Sequence, residues 1–231
     1  MRTKSQSAQS VERLVEDQFR KWQVRSQEES KKESLSPVIT ISREPGSKGH
    51  LVAMQLSKQL ELDLFDSNII HEVAKSANMS ERVVGTLDEK GRSLLDELVQ
   101  ALEGERHLWD HEYLNHLTRI IGTIGRHGRA VILGRGANFV LPSDKTLKVR
   151  IIAPQEMRIK NIARELGVSE KEAERRVINV KSDREAFVRK YFHVDCSDPI
   201  HYDLVLNTAN LSVDAAVEII KTMLQFKLSA Q

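Results

Sequence analysis

The sequence predicts an α/β protein: a mostly parallel sheet flanked by helices. Short β-rich runs alternate with longer helical patterns from residue 38 onward, and glycine loops stand at the carboxyl ends of two of those runs. Strands that alternate with helices are joined by right-handed crossovers, which makes neighbouring strands parallel and covers both faces of the sheet. At 231 residues the chain has length for one main core with a small subdomain or arm, not for two full domains.

Val11, Leu14, Val15, Phe19 and Trp22 recur at three- and four-residue steps and predict an amphipathic helix near residues 10–25. Its apolar stripe needs a partner, either its own domain or, through residues 10–25, a homodimer or partner contact. The polar QEESKKESLSP stretch then reads as a linker, which puts a boundary near Ser36. Residues 1–36 are thus expected to form an N-terminal helix and linker, and residues 37–231 the main domain.

Val38–Ser42 is a β-rich run that ends in Arg43-Glu44-Pro45-Gly46, and the following helix sets Val52, Leu56 and Leu60 on one face. Leu62–Asp66 reads as a second strand, with Asp66 at its carboxyl end. From about 67 to 128 the pattern is helical, an insertion fit to close over a ligand. Ala130–Leu133 is a buried strand followed at once by Gly134-Arg135-Gly136. Leu147–Ala153 is the next strand, and Gln155–Leu166 the next helix. Ser169 with Glu172 forms a capping box that opens a helix expected to run through Asn179. Asp203–Asn207 and Val213–Phe226 read as the last strand and helix.

Composition narrows the function classes. Apolar content of 40% with 29% charged residues is ordinary for a globular chain, and no apolar run reaches the roughly 20 residues of a membrane span. The N-terminus lacks a secretory signal pattern. Cys196 is the only cysteine, so no internal disulfide forms, in keeping with a reducing, cytoplasmic setting. Residues 1–36 hold 8 Lys/Arg and 6 Asp/Glu, leaving 27 of each for the remainder. A neutral main domain argues against a nucleic-acid protein, which carries a basic patch. No membrane partner and no fixed metal site are expected either; His107 and His111 lack the H-E-x-x-H pattern and read as surface groups.

A glycine loop that enters a helix N-terminus exposes unpaired N–H groups and a partial positive charge, a ready site for polyphosphate. Arg43, Gly46, Ser47, Lys48, Gly49 and His50 occupy that place. Gly46 and Gly49 allow close approach, Ser47 and Lys48 offer a hydroxyl and an ammonium, and Arg43 sets a guanidinium beside them. The usual pattern, G-x-x-x-x-G-K-[ST], is not matched.

ITISREPGSKGHLVAMQLSKQLELDLFD, VILGRGANFVLP, KSDREAFVRKYF and SDPIHYDLVLNT, in this order, resemble the cytidylate kinase-like family over about residues 37–226. The resemblance implies a P-loop kinase-like fold with a helical insertion and a lid at about 180–197. It further implies phosphoryl transfer from ATP, accompanied by Mg2+ but without a dedicated protein metal site, to a nucleoside monophosphate, CMP or dCMP first. Set against the family loop I-T-I-D-G-P-S-G-A-G-K-G-T without a gap, Arg43 falls on the first glycine, Lys48 on the glycine before the lysine, Gly49 on the lysine and Leu51 on the threonine. Arg135 matches the arginine of a G-R-D stretch that contacts the acceptor, and Gly136 replaces its Asp. Asp66 matches an acceptor-site aspartate, although Asp66 also suits the cap of a helix starting at Ser67. Glu72 stands where an arginine is expected. Lys48, Arg184 and Arg189 are the expected catalytic cations, the last two from the lid. The altered loop also admits a second reading, a nucleotide-binding regulator or adaptor that keeps the fold with a weakly active or inactive site.

Overall fold

The computed structural model describes residues 13–22, 24, 37–106 and 112–229. They divide into two compact units, one made of Pro37–Phe65 with the chain from Arg129, the other of Asp66–Gly128 with the N-terminal stretch. His107, His111 and Val11 lie outside the described residues.

The first unit holds the sheet. Strands β1 (Val38–Arg43), β2 (Asp63–Phe65), β3 (Ala130–Leu133), β4 (Thr146–Ile152) and β5 (Leu204–Asn207) run in the order β2-β3-β1-β4-β5. Every neighbouring pair is parallel, with Ile41 opposite Leu133 on one side and Val149 on the other. Alternation decides which residues enter which face. Ile39, Ile41, Val131, Leu133, Leu147, Val149 and Ile151 form a buried cluster with helix α2 (Gly49–Leu60) through Val52, Ala53 and Leu56. Helix α10 (Val213–Ser229) closes the same cluster with Ala216, Val217, Ile220 and Leu224. Strand β1, flanked on both sides, delivers its carboxyl end and the glycine loop to the middle of the sheet edge, where ligands of parallel sheets bind.

The short helix α7 (Ala137–Val140) follows β3, and α8 (Gln155–Leu166) follows β4. Helix α9 spans Glu170–Phe192, with Ser169 capping the Glu172 N–H as the sequence indicated. The expected end at Asn179 is corrected to Phe192. No glycine or proline interrupts the stretch, and Ala173, Val177, Val188 and Phe192 are buried. The helix stops at His193, which adopts φ 54° and donates its N–H to the Arg189 carbonyl. Arg184 and Arg189 are therefore helical residues.

The second unit is helical: α1 (residues 13–22 and 24), α3 (Ser67–Ala74), α4 (Ala77–Val84), α5 (Glu89–Arg106) and α6 (Glu112–His127). Helices α5 and α6 approach closely at Gly122, where an added Cβ would stand 2.5 Å from Leu95 Cδ1. The described part of the α1 stripe packs in part on its own unit, with Leu14 51% exposed. Val15 and Trp22 are buried, and the Trp22 ring stacks on His127 with centroids 4.1 Å apart. Arg82 lies over the Phe19 ring and 3.5 Å from Glu16. No helix among the described residues is long and apolar enough to cross a membrane.

Candidate active site

The glycine loop departs from β1 at Arg43 and enters α2 at Gly49. Its shape is set by Glu44. The Glu44 N–H donates to the Ile151 carbonyl, while the Glu44 carbonyl accepts from both the Ser47 N–H and the Ser47 hydroxyl. The Glu44 carboxylate turns away from the loop mouth: Oε2 accepts from the Ala153 N–H at 3.1 Å and stands 3.4 Å from Arg158 Nε. Arg158, buried on α8, also donates from Nε to the Ala153 carbonyl. Two further bonds fix the outer turn. Asn161 Nδ2 donates to the Gly46 carbonyl and the Thr208 hydroxyl to the Ser47 carbonyl.

Gly46 is required twice over. Its φ of 78° lies in the left-handed region, and an added Cβ would collide with the Arg158 backbone. Ser47 is wholly buried, and both its N–H and its hydroxyl are spent on Glu44, so it shapes the loop. Lys48 is the N-cap of α2 with φ 61° and ψ 10°. That is the conformation of a glycine slot, and it supports the ungapped alignment in which Lys48 stands on a glycine and Gly49 on the lysine. The first turn of α2 carries the orphan N–H groups of the helix, those of Gly49 and His50 among them. His50 Nε2 lies 3.9 Å from Glu165 Oε1.

Above the loop opens a cleft of about 520 Å³. Arg43, Gly46, Lys48, Gly49 and His50 line its floor, with Arg176 and Arg184 from α9 on its wall. Ile162, Leu166, Val177 and Val180 give it an apolar side. Arg184 Nη1 donates to the Arg43 carbonyl at 2.9 Å. Burial, and then the positive charge of Arg135, push the Arg184 guanidinium below its ordinary pKa. The two guanidinium charges repel each other, and an anion beside Arg184 would relieve that repulsion.

Arg135 has φ 54° between Gly134 and Gly136, also left-handed, and its guanidinium lies 5.7 Å from the Phe187 ring centre. A Cβ at Gly136 would strike the Phe192 ring, which explains why this chain carries glycine where the pattern has Asp. Arg189 is exposed, and at five residues from Arg184 it projects from a different side of the helix; its charge acts on Asp195. Asp66, in the helical unit, caps α3 and accepts from the N–H groups of Asn68 and Ile69 at 2.7 and 3.1 Å.

Sequence reasoning missed the arginines that brace the site. Arg150 is 6% exposed on β4 and donates to the Ser42 hydroxyl, with the Tyr202 hydroxyl at 3.4 Å. Arg158 has no signal of its own except its place one turn after Pro154. Among the described residues no group of three or more His, Cys, Asp or Glu is arranged to hold a metal ion. The loop position that would offer a hydroxyl to magnesium is Leu51, 41% exposed and without an oxygen.

Residues 38–210 match the model of the cytidylate kinase-like family. A cytidylate kinase of Ignicoccus hospitalis is 30% identical over 188 residues, which covers 81% of this chain and 98% of that protein. A cytidylate kinase of Methanopyrus kandleri is 28% identical over 198 residues, covering 81% and 93%. Among solved structures, an uncharacterized protein from Eubacterium ventriosum superimposes with a TM-score of 0.62 at 21% identity, over 82% of this chain and 98% of that one.

Proposed function

The chain belongs to the cytidylate kinase-like family, and from that membership we propose that it transfers the γ-phosphoryl group of ATP to a nucleoside monophosphate, CMP or dCMP being the first acceptor to test. The observation that carries the reading is the cleft above the glycine loop, where helix N–H groups and the cations Arg43, Lys48 and Arg184 face one volume. Of the two carboxylates that line it with them, Glu44 is directed at Arg158 and Ala153, and Glu165 stands 3.9 Å from His50 Nε2.

In the proposed reaction an acceptor phosphate oxygen forms a bond to the γ-phosphorus while the bond from that phosphorus to the β–γ bridging oxygen breaks, and ADP leaves. Such transfer asks the protein for in-line positioning and for positive charge on the migrating oxygens rather than for covalent chemistry. The loop amides and Lys48 would hold the donor phosphates, and Arg184 would meet the transferring group. Arg135 is assigned to the acceptor side, as are Asp66 and the helical insertion. Arg189 would join on lid closure. Magnesium enters as part of the donor, bound to its phosphates and water, since it commonly uses few protein ligands and the loop offers Leu51 in place of a hydroxyl.

The test is a coupled assay for ADP release with ATP and a panel of nucleoside monophosphates. Turnover with CMP or dCMP above the other acceptors is the expected result. Absence of turnover with every acceptor refutes the proposal. The relatives give no support to the adaptor reading.

A further inference from the structure

We propose that Arg43 replaces the missing phosphate-loop lysine, the two positions having exchanged side chains: Arg43 and Gly49 share one slot that holds a single Cβ. The inference rests on the donor reading above and gives one of its residues a specific role.

The usual pattern places glycine at the first position of the loop and lysine at the seventh, and this chain has Arg43 and Gly49 there. The change is reciprocal in space as well as in sequence. A Cβ added at Gly49 would stand 2.6 Å from Arg43 Cβ, 3.2 Å from Arg43 Cγ and 3.3 Å from Ile151 Cβ. Carbon atoms that are not bonded meet at about 3.5–4.0 Å, so the slot admits a side chain from either position and not from both. Arg43 is fixed where it is. It pairs with Ile151 in the β1–β4 ladder, and its carbonyl accepts from Arg184 Nη1 at 2.9 Å. Gly49 is buried at the first position of α2 and cannot move aside without displacing the helix from the core.

The Arg43 side chain therefore starts within one van der Waals contact of the place where a lysine at 49 would start, and it lines the same cleft. Its fork reaches further than lysine and grips two phosphate oxygens at once. Lys48 is a poorer substitute. It leaves the chain from the N-cap, roughly 100° back around the helix from the position at which the lysine acts, in the left-handed conformation of the glycine it replaces. Glu44, adjacent in sequence, has its carboxylate on Arg158 and Ala153.

The experiment measures binding of ATP, adenosine and inorganic tripolyphosphate by calorimetry, with folding monitored by thermal unfolding. Arg43→Met keeps the aliphatic stem that packs on Gly49 and removes only the charge. It is expected to weaken ATP and tripolyphosphate about 10- to 100-fold, the size of a lost charge-assisted contact of roughly 1.5–3 kcal/mol, while leaving adenosine unchanged. Arg43→Lys should recover part of that loss, and Lys48→Met should lose less than Arg43→Met. Gly49→Lys alone should unfold at a lower temperature than the parent. The double variant Arg43→Gly with Gly49→Lys, which moves the cation back, should regain both folding and ATP binding.

Equal affinity of Arg43→Met and the parent for ATP overturns the exchange. So does a Gly49→Lys variant as stable as the parent, and so does a parent that binds neither ATP nor tripolyphosphate. These readouts do not involve an acceptor, so a protein that binds ATP through Arg43 but phosphorylates nothing would refute the kinase proposal and leave this one standing.

Discussion

Replacing Glu44 by Ala is expected to destabilise the protein by about 3 kcal/mol, from the lower end of what an uncompensated buried charge costs. The Glu44 side chain is 15% exposed and that of Arg158 4%, so the guanidinium cannot turn to water when its partner is removed. Among the described residues Glu44 supplies the one carboxylate within 4.0 Å of Arg158, and Arg158 Nη1 is already buried without a partner. The same substitution orphans the Ala153 N–H, which adds about 1 kcal/mol or more. Equilibrium unfolding in urea is the assay; with a slope of roughly 2–3 kcal/mol per molar the midpoint should fall by about 1 M or more. Glu44→Gln keeps an acceptor for Ala153 and should lose less. Arg158→Met combined with Glu44→Ala should recover much of the loss, because an apolar pair tolerates burial. A loss below about 1 kcal/mol for Glu44→Ala, or strict additivity in the double variant, would refute the account of Glu44 as the internal counter-charge.

Gly46→Ala should cost roughly 1–2 kcal/mol for its left-handed φ alone, and more for the collision with the Arg158 backbone; thermal unfolding and ATP calorimetry should both register it. Gly136→Asp, which restores the G-R-D spelling, should lower the melting temperature by forcing the Phe192 ring off its place, at about 1–3 kcal/mol, and adding Phe192→Leu should relieve part of it. Asp195 titrates below the usual carboxylate range, first because the Ser197 N–H donates to it and then because the Ser197 hydroxyl does. A depressed folded pKa contributes stability above the unfolded value that is lost as pH falls through the folded one. Ser197→Ala should raise the Asp195 pKa part of the way and move that acid loss to higher pH, as read by carboxyl NMR titration.

How much of this was legible follows from where the information sits. The strands were readable because β1, β3 and β4 are buried over most of their length and rich in β-branched residues. The sequence pattern ends helix α9 too early because the stretch from Lys181 to Glu185 carries no apolar residue to mark the period, which Val188 and Phe192 resume only later. The glycine loop was visible as a pattern, but not what it costs each residue to sit there. The structure adds that the Ser47 hydroxyl donates to the Glu44 carbonyl and that Asp66 caps α3. Arg158 and Thr208 meet the loop from more than 110 residues away, and a single sequence holds no record of such pairings. The reciprocity of Arg43 and Gly49 became evident only when the missing Cβ was placed in space.

The hydroxyl of Thr208 reaches back to the Ser47 carbonyl at 2.9 Å and to the Ile152 carbonyl at 3.2 Å. It works as a latch that joins the loop after the chain's central strand to the residue just after its last one. The cradle consequently gains this brace last: the ribosome must release everything through β5 before Thr208 can reach the loop. Its amides should then exchange with deuterium only as slowly as the sheet opens, among the most protected in a region that in many proteins is left loose.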